Sequence, residues 1–189
     1  MAITDKTREG FERLLREFHA QRIPIPISNK YPWQTRLAIR ELLGLARETK
    51  AQVRLLTGTG TDMAYGRDDL AKPMRLALEE GCHVRILVWN DAQHPVGSVL
   101  AQLAKDFPAG LEIKMSGTRL ASDKIPHFLT VGEDANRLEI PHPPYDNIEF
   151  TEDSPETRAS ICFNAAEGTR GLNTYFDVLW AKCPLFTEG

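Results

Sequence analysis

Apolar residues recur along this chain with two different periods, and the switches between them lay out an alternating series of helices and strands. Between residues 5 and 20, Phe11, Leu14, Leu15 and Phe18 repeat at helical spacing, with Arg and Glu on the other face. A second helix is expected over 32–49, where Leu37, Ile39, Leu42, Leu43 and Ala46 make the apolar stripe. Further helices are expected over 68–80, with Leu70, Met74, Ala77 and Leu78 inside, and over 96–106. Gly81 is placed to stop the first of these two, and Pro73 is tolerable only near a helix start. Strands are expected at 52–57, 83–89 and 111–115. The run His83-Val-Arg-Ile-Leu-Val-Trp89 is the clearest, being β-rich and bounded by Gly81 and Asn90-Asp91. Such alternation predicts an α/β fold with a central, largely parallel mixed sheet flanked by helices.

Two stretches depart from this rhythm. Residues 22–30 hold Pro24 and Pro26 in alternate positions, which excludes a helix and holds the chain extended. Ile23, Ile25 and Ile27 are expected to lay this connector flat against the body. Further on, 128–131 and 137–140 read as a hairpin around Gly132-Glu-Asp-Ala. A polar, proline-rich loop over 141–156 leads to a strand at 158–163. The last helix, 165–181, carries Leu172, Tyr175, Phe176, Leu179 and Trp180. The domain reading is an N-terminal helix and proline-rich connector over 1–30, followed by one α/β domain over 31–189.

At 189 residues the chain is long enough to bury a substantial core. Its formal charge of −3 excludes a surface that is basic all round, so a nucleic-acid partner would need a local patch. Cys82, Cys162 and Cys183 are odd in number and show no C-x-x-C spacing, which argues against a disulfide framework or a zinc site. Cys82 and Cys162 lie in apolar runs and are expected to be buried thiols. No apolar run approaches the roughly 20 residues that span a bilayer, and the N-terminus shows no signal-peptide core. A cytoplasmic protein without cofactor or metal is the expectation.

Several runs carry a resemblance. Val53-Arg-Leu-Leu-Thr57 resembles the first strand of a phospholipase D-like half-domain. The passage from Leu76 through Gly81 to Val88 resembles its helix-to-strand passage, and Tyr175-Phe-Asp-Val-Leu-Trp-Ala-Lys182, preceded by Phe163-Asn164, resembles its closing helix. The likeness covers residues 32–182. It implies a phospholipase D-like fold, and it makes Lys124-Ile-Pro-His-Phe-Leu-Thr-Val-Gly-Glu-Asp-Ala-Asn-Arg-Leu-Glu139 the place for the family's catalytic H-x-K-x4-D run. One alignment puts Ile125 at the His, His127 at the Lys and Gly132 at the Asp. The other puts His127 at the His and keeps Asp134, but leaves Leu129 at the Lys. The resemblance therefore implies chemistry altered or lost.

The candidate catalytic residues are His127 and Glu139. Arg137, which shares a strand face with Glu139 by two-residue alternation, is a candidate ligand-binding residue, with His142, Asn164, Thr57 and Thr59. The plainer reading makes Arg137 and Glu139 partners of neighbours at a sheet edge and His127 a strand cap. Gly58-Thr-Gly-Thr-Asp62 resembles phosphate-cradling loops, yet lacks the lysine of a P-loop and the third glycine of G-x-G-x-x-G. The histidines show no metal-ligand spacing. Arg8, Arg13, Arg16 and Arg22 are offset by Glu9, Glu12 and Glu17, so that region is expected to be a solvated face.

The expectation for function is a catalytically degenerate regulatory or accessory factor. It would engage a protein partner, form a homodimer, and keep a cleft for a phosphate-bearing ligand or nucleic acid, with no membrane span. The enzyme alternative is a homodimeric phosphodiesterase or nuclease using His127 from each subunit. A third class is a structural subunit of a larger assembly.

Overall fold

The computed structural model describes residues 3–58, 60–61, 65–89, 96–116, 125–141 and 158–186. Its strands are β1 (Ile27–Asn29), β2 (Val53–Thr57), β3 (Val84–Val88), β4 (Leu111–Met115), β5 (His127–Val131), β6 (Ala135–Glu139) and β7 (Ala159–Cys162). The helices named here are α1 (Arg8–Gln21), α2 (Pro32–Thr49), α3 (Asp68–Glu79), α4 (Ser98–Asp106) and α5 (Ala166–Trp180).

Local chemistry sets the helix ends. The Thr7 hydroxyl accepts from the Gly10 amide at the start of α1, as an N-cap side chain should. Pro32 occupies the first position of α2, where a missing N–H costs nothing. Gln34 reaches back there to accept from the Lys30 and Tyr31 amides at 2.7 and 3.2 Å. Gly81, with φ +83°, follows α3 as expected. Pro73 lies inside that helix, and the helix continues through it to Glu79.

All seven strands form one sheet in the order β1-β7-β6-β5-β2-β3-β4. β2, β3 and β4 pair in parallel, with α3 and α4 as crossovers. The remaining pairings are antiparallel. The sheet is thus mixed, with parallel pairing confined to β2–β3–β4. Because antiparallel steps alternate, β1 and β6 still point the same way as those three strands. The C-terminal ends of β1, β2 and β6 therefore meet the N-terminal ends of β5 and β7 at one end of the sheet.

Strand alternation divides two cores between the faces. On one face, Val53, Leu55, Val84, Ile86, Leu129 and Ile161 pack with the apolar stripes of α1 to α4. On the other, Leu56, Leu87, Trp89, Ile125 and Phe128 pack with Phe176 and Trp180 of α5. Cys82, Cys162 and Cys183 are buried free thiols, and burial pushes the Cys82 and Cys183 thiols up. Among the described residues no helix is long and apolar enough to cross a membrane.

The connector over 22–30 differs from its expectation. Ile27 is fully buried, but Ile25 is exposed, because the prolines on either side of it leave a bend rather than a flat strip. Residues 27–29, just past the second proline, instead become the edge strand β1 against β7. The hairpin also starts its second strand earlier than expected. Val131 pairs with Ala135, so the loop is the three residues Gly132, Glu133 and Asp134, with Gly132 at φ +57°.

Candidate functional site

The sheet end just described collects the polar residues that the sequence singled out. Asn29, Ala159, Glu139 and His127 form one row across β1, β7, β6 and β5. Thr57 ends β2 beside that row, one step beyond the Leu56–Phe128 pair. Arg137 lies two residues before Glu139 on the same face, the face that looks toward α2.

Arg137 is the centre of the cluster and only 4 % exposed. Its Nε donates to Asn29 Oδ1 at 2.8 Å, one terminal nitrogen donates to Glu139 Oε2 at 3.0 Å, and the other donates to Thr35 Oγ1 at 3.0 Å. Asn29 Nδ2 also donates to Thr35 Oγ1 at 2.9 Å. Glu139 is itself buried. A charge taken this far out of water is tolerated only when it is paired and hydrogen-bonded, and this arrangement supplies both. The plainer expectation for Arg137 and Glu139, pairing with neighbours, matches this geometry, though the pair is buried rather than at an exposed edge.

His127 opens β5 and is half-buried. A methyl added to Gly58 would stand 2.9 Å from its Cε1 and Nε2, so the imidazole lies against the Gly58 backbone where β2 ends. A side chain at 58 would require the ring to shift. The neighbouring Thr57 hydroxyl accepts from the Tyr65 hydroxyl at 3.0 Å. Burial pushes the Tyr65 phenol up, the Thr57 bond and the Arg137 charge oppose that, and the Glu139 charge adds to it. Tyr65 is thus a further member of the cluster, within electrostatic reach of the ion pair.

Of the sequence candidates, His127, Glu139, Arg137 and Thr57 are brought together here. Asn164 is not. It sits at the opposite end of the sheet, where its amide donates to the Arg22 carbonyl at 3.2 Å, beside the Arg22–Asp134 ion pair. It lies two residues past the end of β7, and β7 runs away from the cluster. Thr59 and His142 lie outside the described residues. Asn29, Thr35 and Tyr65 were missed. Asn29 and Thr35 lie more than a hundred positions from Arg137, and no spacing rule connects residues so far apart.

The two alignments of the H-x-K-x4-D run can be placed as well. Ile125 is buried in the apolar cluster with Leu56, Trp89 and Phe128, and Leu129 lies in the main core. Asp134 is at the hairpin turn, the far end of β5 from His127. Neither β5 nor β6 contains a lysine. Among the described residues no group of three His, Cys, Asp or Glu side chains gathers to hold a metal ion.

No protein-family model matches the sequence, and no curated protein matches it. Solved structures do match in fold. Nuc from Salmonella typhimurium, a phospholipase D family member, is 14 % identical over 88 % of this chain and 100 % of its own, with a TM-score of 0.58. NucT from Helicobacter pylori is 15 % identical over 85 % of this chain and 98 % of its own, with a TM-score of 0.57. The archaeal chromatin protein TrmBL2, described with a novel mode of DNA binding, is 14 % identical over 95 % of this chain and 62 % of its own, with a TM-score of 0.54. The seven-stranded mixed sheet and its flanking helices are a phospholipase D-like fold.

Proposed function

We propose that the protein is a phospholipase D-like binding factor without phosphodiesterase turnover. In this reading it works in the cytoplasm as a regulatory or accessory component, engages a protein partner, forms a homodimer, and uses the sheet-end cluster to recognise a phosphate-bearing ligand or nucleic acid. The observation that carries this reading is the buried Arg137–Glu139 pair. Arg137 is the cation at the centre of the cluster, and its charge is already balanced by a carboxylate 3.0 Å away. Phosphoryl transfer needs fixed cationic donors whose charge is available to the equatorial oxygens, and neither β5 nor β6 supplies a lysine for that role. Recognition needs less, because hydroxyls and a half-buried imidazole can hold a polar ligand without turning it over.

The likeness to a DNA-binding chromatin protein supports nucleic acid as the ligand class to try first. A second reading has its own observation: His127 lies opposite Glu139 across the hairpin, on the face that holds Tyr65, which suits a homodimeric nuclease using one His127 from each subunit. The deciding experiment incubates labelled single- and double-stranded DNA and a generic phosphodiester with wild type and with His127→Ala, with and without divalent metals. The binding reading expects no turnover from either protein. Cleavage that is lost in His127→Ala would replace it with the enzyme reading.

A further inference from the structure

We propose that Tyr31 and Trp33, with Lys30 and Arg158 beside them, form a platform that takes single-stranded nucleic acid, the rings stacking on bases and the cations holding phosphates. This rests on the binding function proposed above, and it names the strand form and the residues that select it. β1 ends at Asn29, whose side chain accepts from Arg137 at 2.8 Å. The chain then runs through Lys30 and Tyr31 directly into α2. Gln34, itself buried, fixes that turn. Its side-chain oxygen accepts from the Lys30 and Tyr31 amides, and its nitrogen donates to the Asp5 carbonyl at 2.8 Å. Residues 30, 31 and 33 are thus tied to the strand end that carries the cluster.

The two rings lie parallel, with 4° between their planes and centroids 6.2 Å apart. Phe11, fully buried, meets Trp33 edge-on at 5.7 Å and ties it to the core. Core packing explains that contact. Tyr31 stacks on Trp33 while itself only half-buried, which leaves part of an aromatic surface to solvent. Charge complements the rings. Lys30 follows Asn29, Arg158 precedes Ala159, and Asn29 and Ala159 are Cα partners in the sheet. The two cations therefore stand at adjoining strand ends, and both are exposed. On a chain of formal charge −3, this is the local basic patch that a nucleic-acid partner requires.

The platform leads to the cluster. The Ile140 amide donates to the Arg158 carbonyl at 2.9 Å, and Glu139 beside it is the partner of His127 across the hairpin. From Lys30 to His127 the path crosses β7 and β6, three strand spacings or about 14 Å. Aromatic faces accept any base, and neighbouring cations track the sugar-phosphate backbone. Base faces are open in a single strand, whereas a duplex keeps them in its own stack. The combination of rings and cations therefore selects a single strand.

The test is fluorescence anisotropy over a salt series with three labelled probes: an oligothymidylate, its duplex with the complementary strand, and an abasic strand of the same length. Wild type, Tyr31→Leu, Tyr31→Phe and Arg158→Gln are compared as full chains. Wild type is expected to bind the single strand more tightly than the duplex. Tyr31→Leu, which keeps apolar bulk without a ring face, weakens that binding roughly tenfold, and Tyr31→Phe restores it. On the abasic strand Tyr31→Leu matches wild type. Arg158→Gln weakens both single strands alike and lowers the salt slope by about one. Equal losses for Tyr31→Leu on both single strands would mark a structural ring and overturn the proposal, as would tighter binding of the duplex. Single-strand binding unmoved by Tyr31→Leu and Arg158→Gln overturns it too, while leaving a nucleic-acid site elsewhere on the chain. A wild type that binds none of the probes removes both this platform and nucleic acid as the ligand class.

Discussion

The two faces of the β5–β6 hairpin bury polar residues in different ways. Toward α5, Thr130 donates to Asn173 Oδ1 at 2.6 Å and Asn136 donates to Thr169 at 2.9 Å. Asn173 also donates to the Gly132 carbonyl at 2.8 Å. These are neutral bonds set in an aromatic surround, where Phe128, Phe176 and Trp180 pack in sequence. They fix the position of a helix and leave no charge behind. Toward α2 the hairpin buries a full ion pair at the end of the sheet, beside a half-buried histidine and the hydroxyls of Thr35, Thr57 and Tyr65. Neutral pairs suffice to dock an element, whereas a buried charge pair next to an open sheet end is costly to maintain and is more readily understood as part of a site.

The sharpest way to break this contrast is to remove one charge. Glu139→Ala leaves Arg137 buried without a carboxylate and is expected to cost about 3–5 kcal/mol in urea unfolding. The double variant Arg137→Met/Glu139→Leu is expected to retain much more of the stability than the single one. A small loss in Glu139→Ala would mean that water reaches the pair and that the two faces are alike. On the neutral face, Asn173→Ala orphans the Thr130 hydroxyl and the Gly132 carbonyl and should cost about 1–3 kcal/mol. A cost as large as that of Glu139→Ala would erase the distinction from the other side.

Tyr65→Phe probes the same cluster through pH. Burial raises the Tyr65 phenol above its ordinary value, so the folded chain keeps a proton that the unfolded chain loses near pH 10, about the value of a free tyrosine. Stability from this group is therefore present below that pH and falls as the pH rises above it. The substitution should cost about 1 kcal/mol at neutral pH through the lost bond to Thr57, and should flatten the alkaline decline. The smallest effect is expected at the far end of the hairpin. There Arg22 and Asp134 form a largely exposed pair at 3.2 Å, and Asp134→Ala should change stability by about 0–1 kcal/mol.

Most of the fold was legible in the sequence because periodicity reports burial. Leu111–Met115 is a strand with the expected bounds, and α1, α2 and α5 lie where their apolar stripes placed them. β1 was not legible. Its three residues owe their strand to β7, more than a hundred positions away, and two nearby prolines disguise it. The site was legible in part. His127, Arg137 and Glu139 come from one hairpin, so two-residue alternation could put them on one face. Their partners Asn29, Thr35 and Tyr65 come from segments that only the closed sheet brings near. Asn164 was misplaced because the end of a strand does not reveal which end of the sheet it is.

The proposed function requires that the sheet-end cluster bind its ligand without turning it over. An NMR titration of the His127 imidazole with a single-stranded oligonucleotide, with product followed in the same sample, tests it most directly. Saturable shifts of the His127 resonances with no cleaved strand are the predicted result. Cleavage that requires His127, or saturable binding that leaves the His127 resonances unmoved, would contradict it.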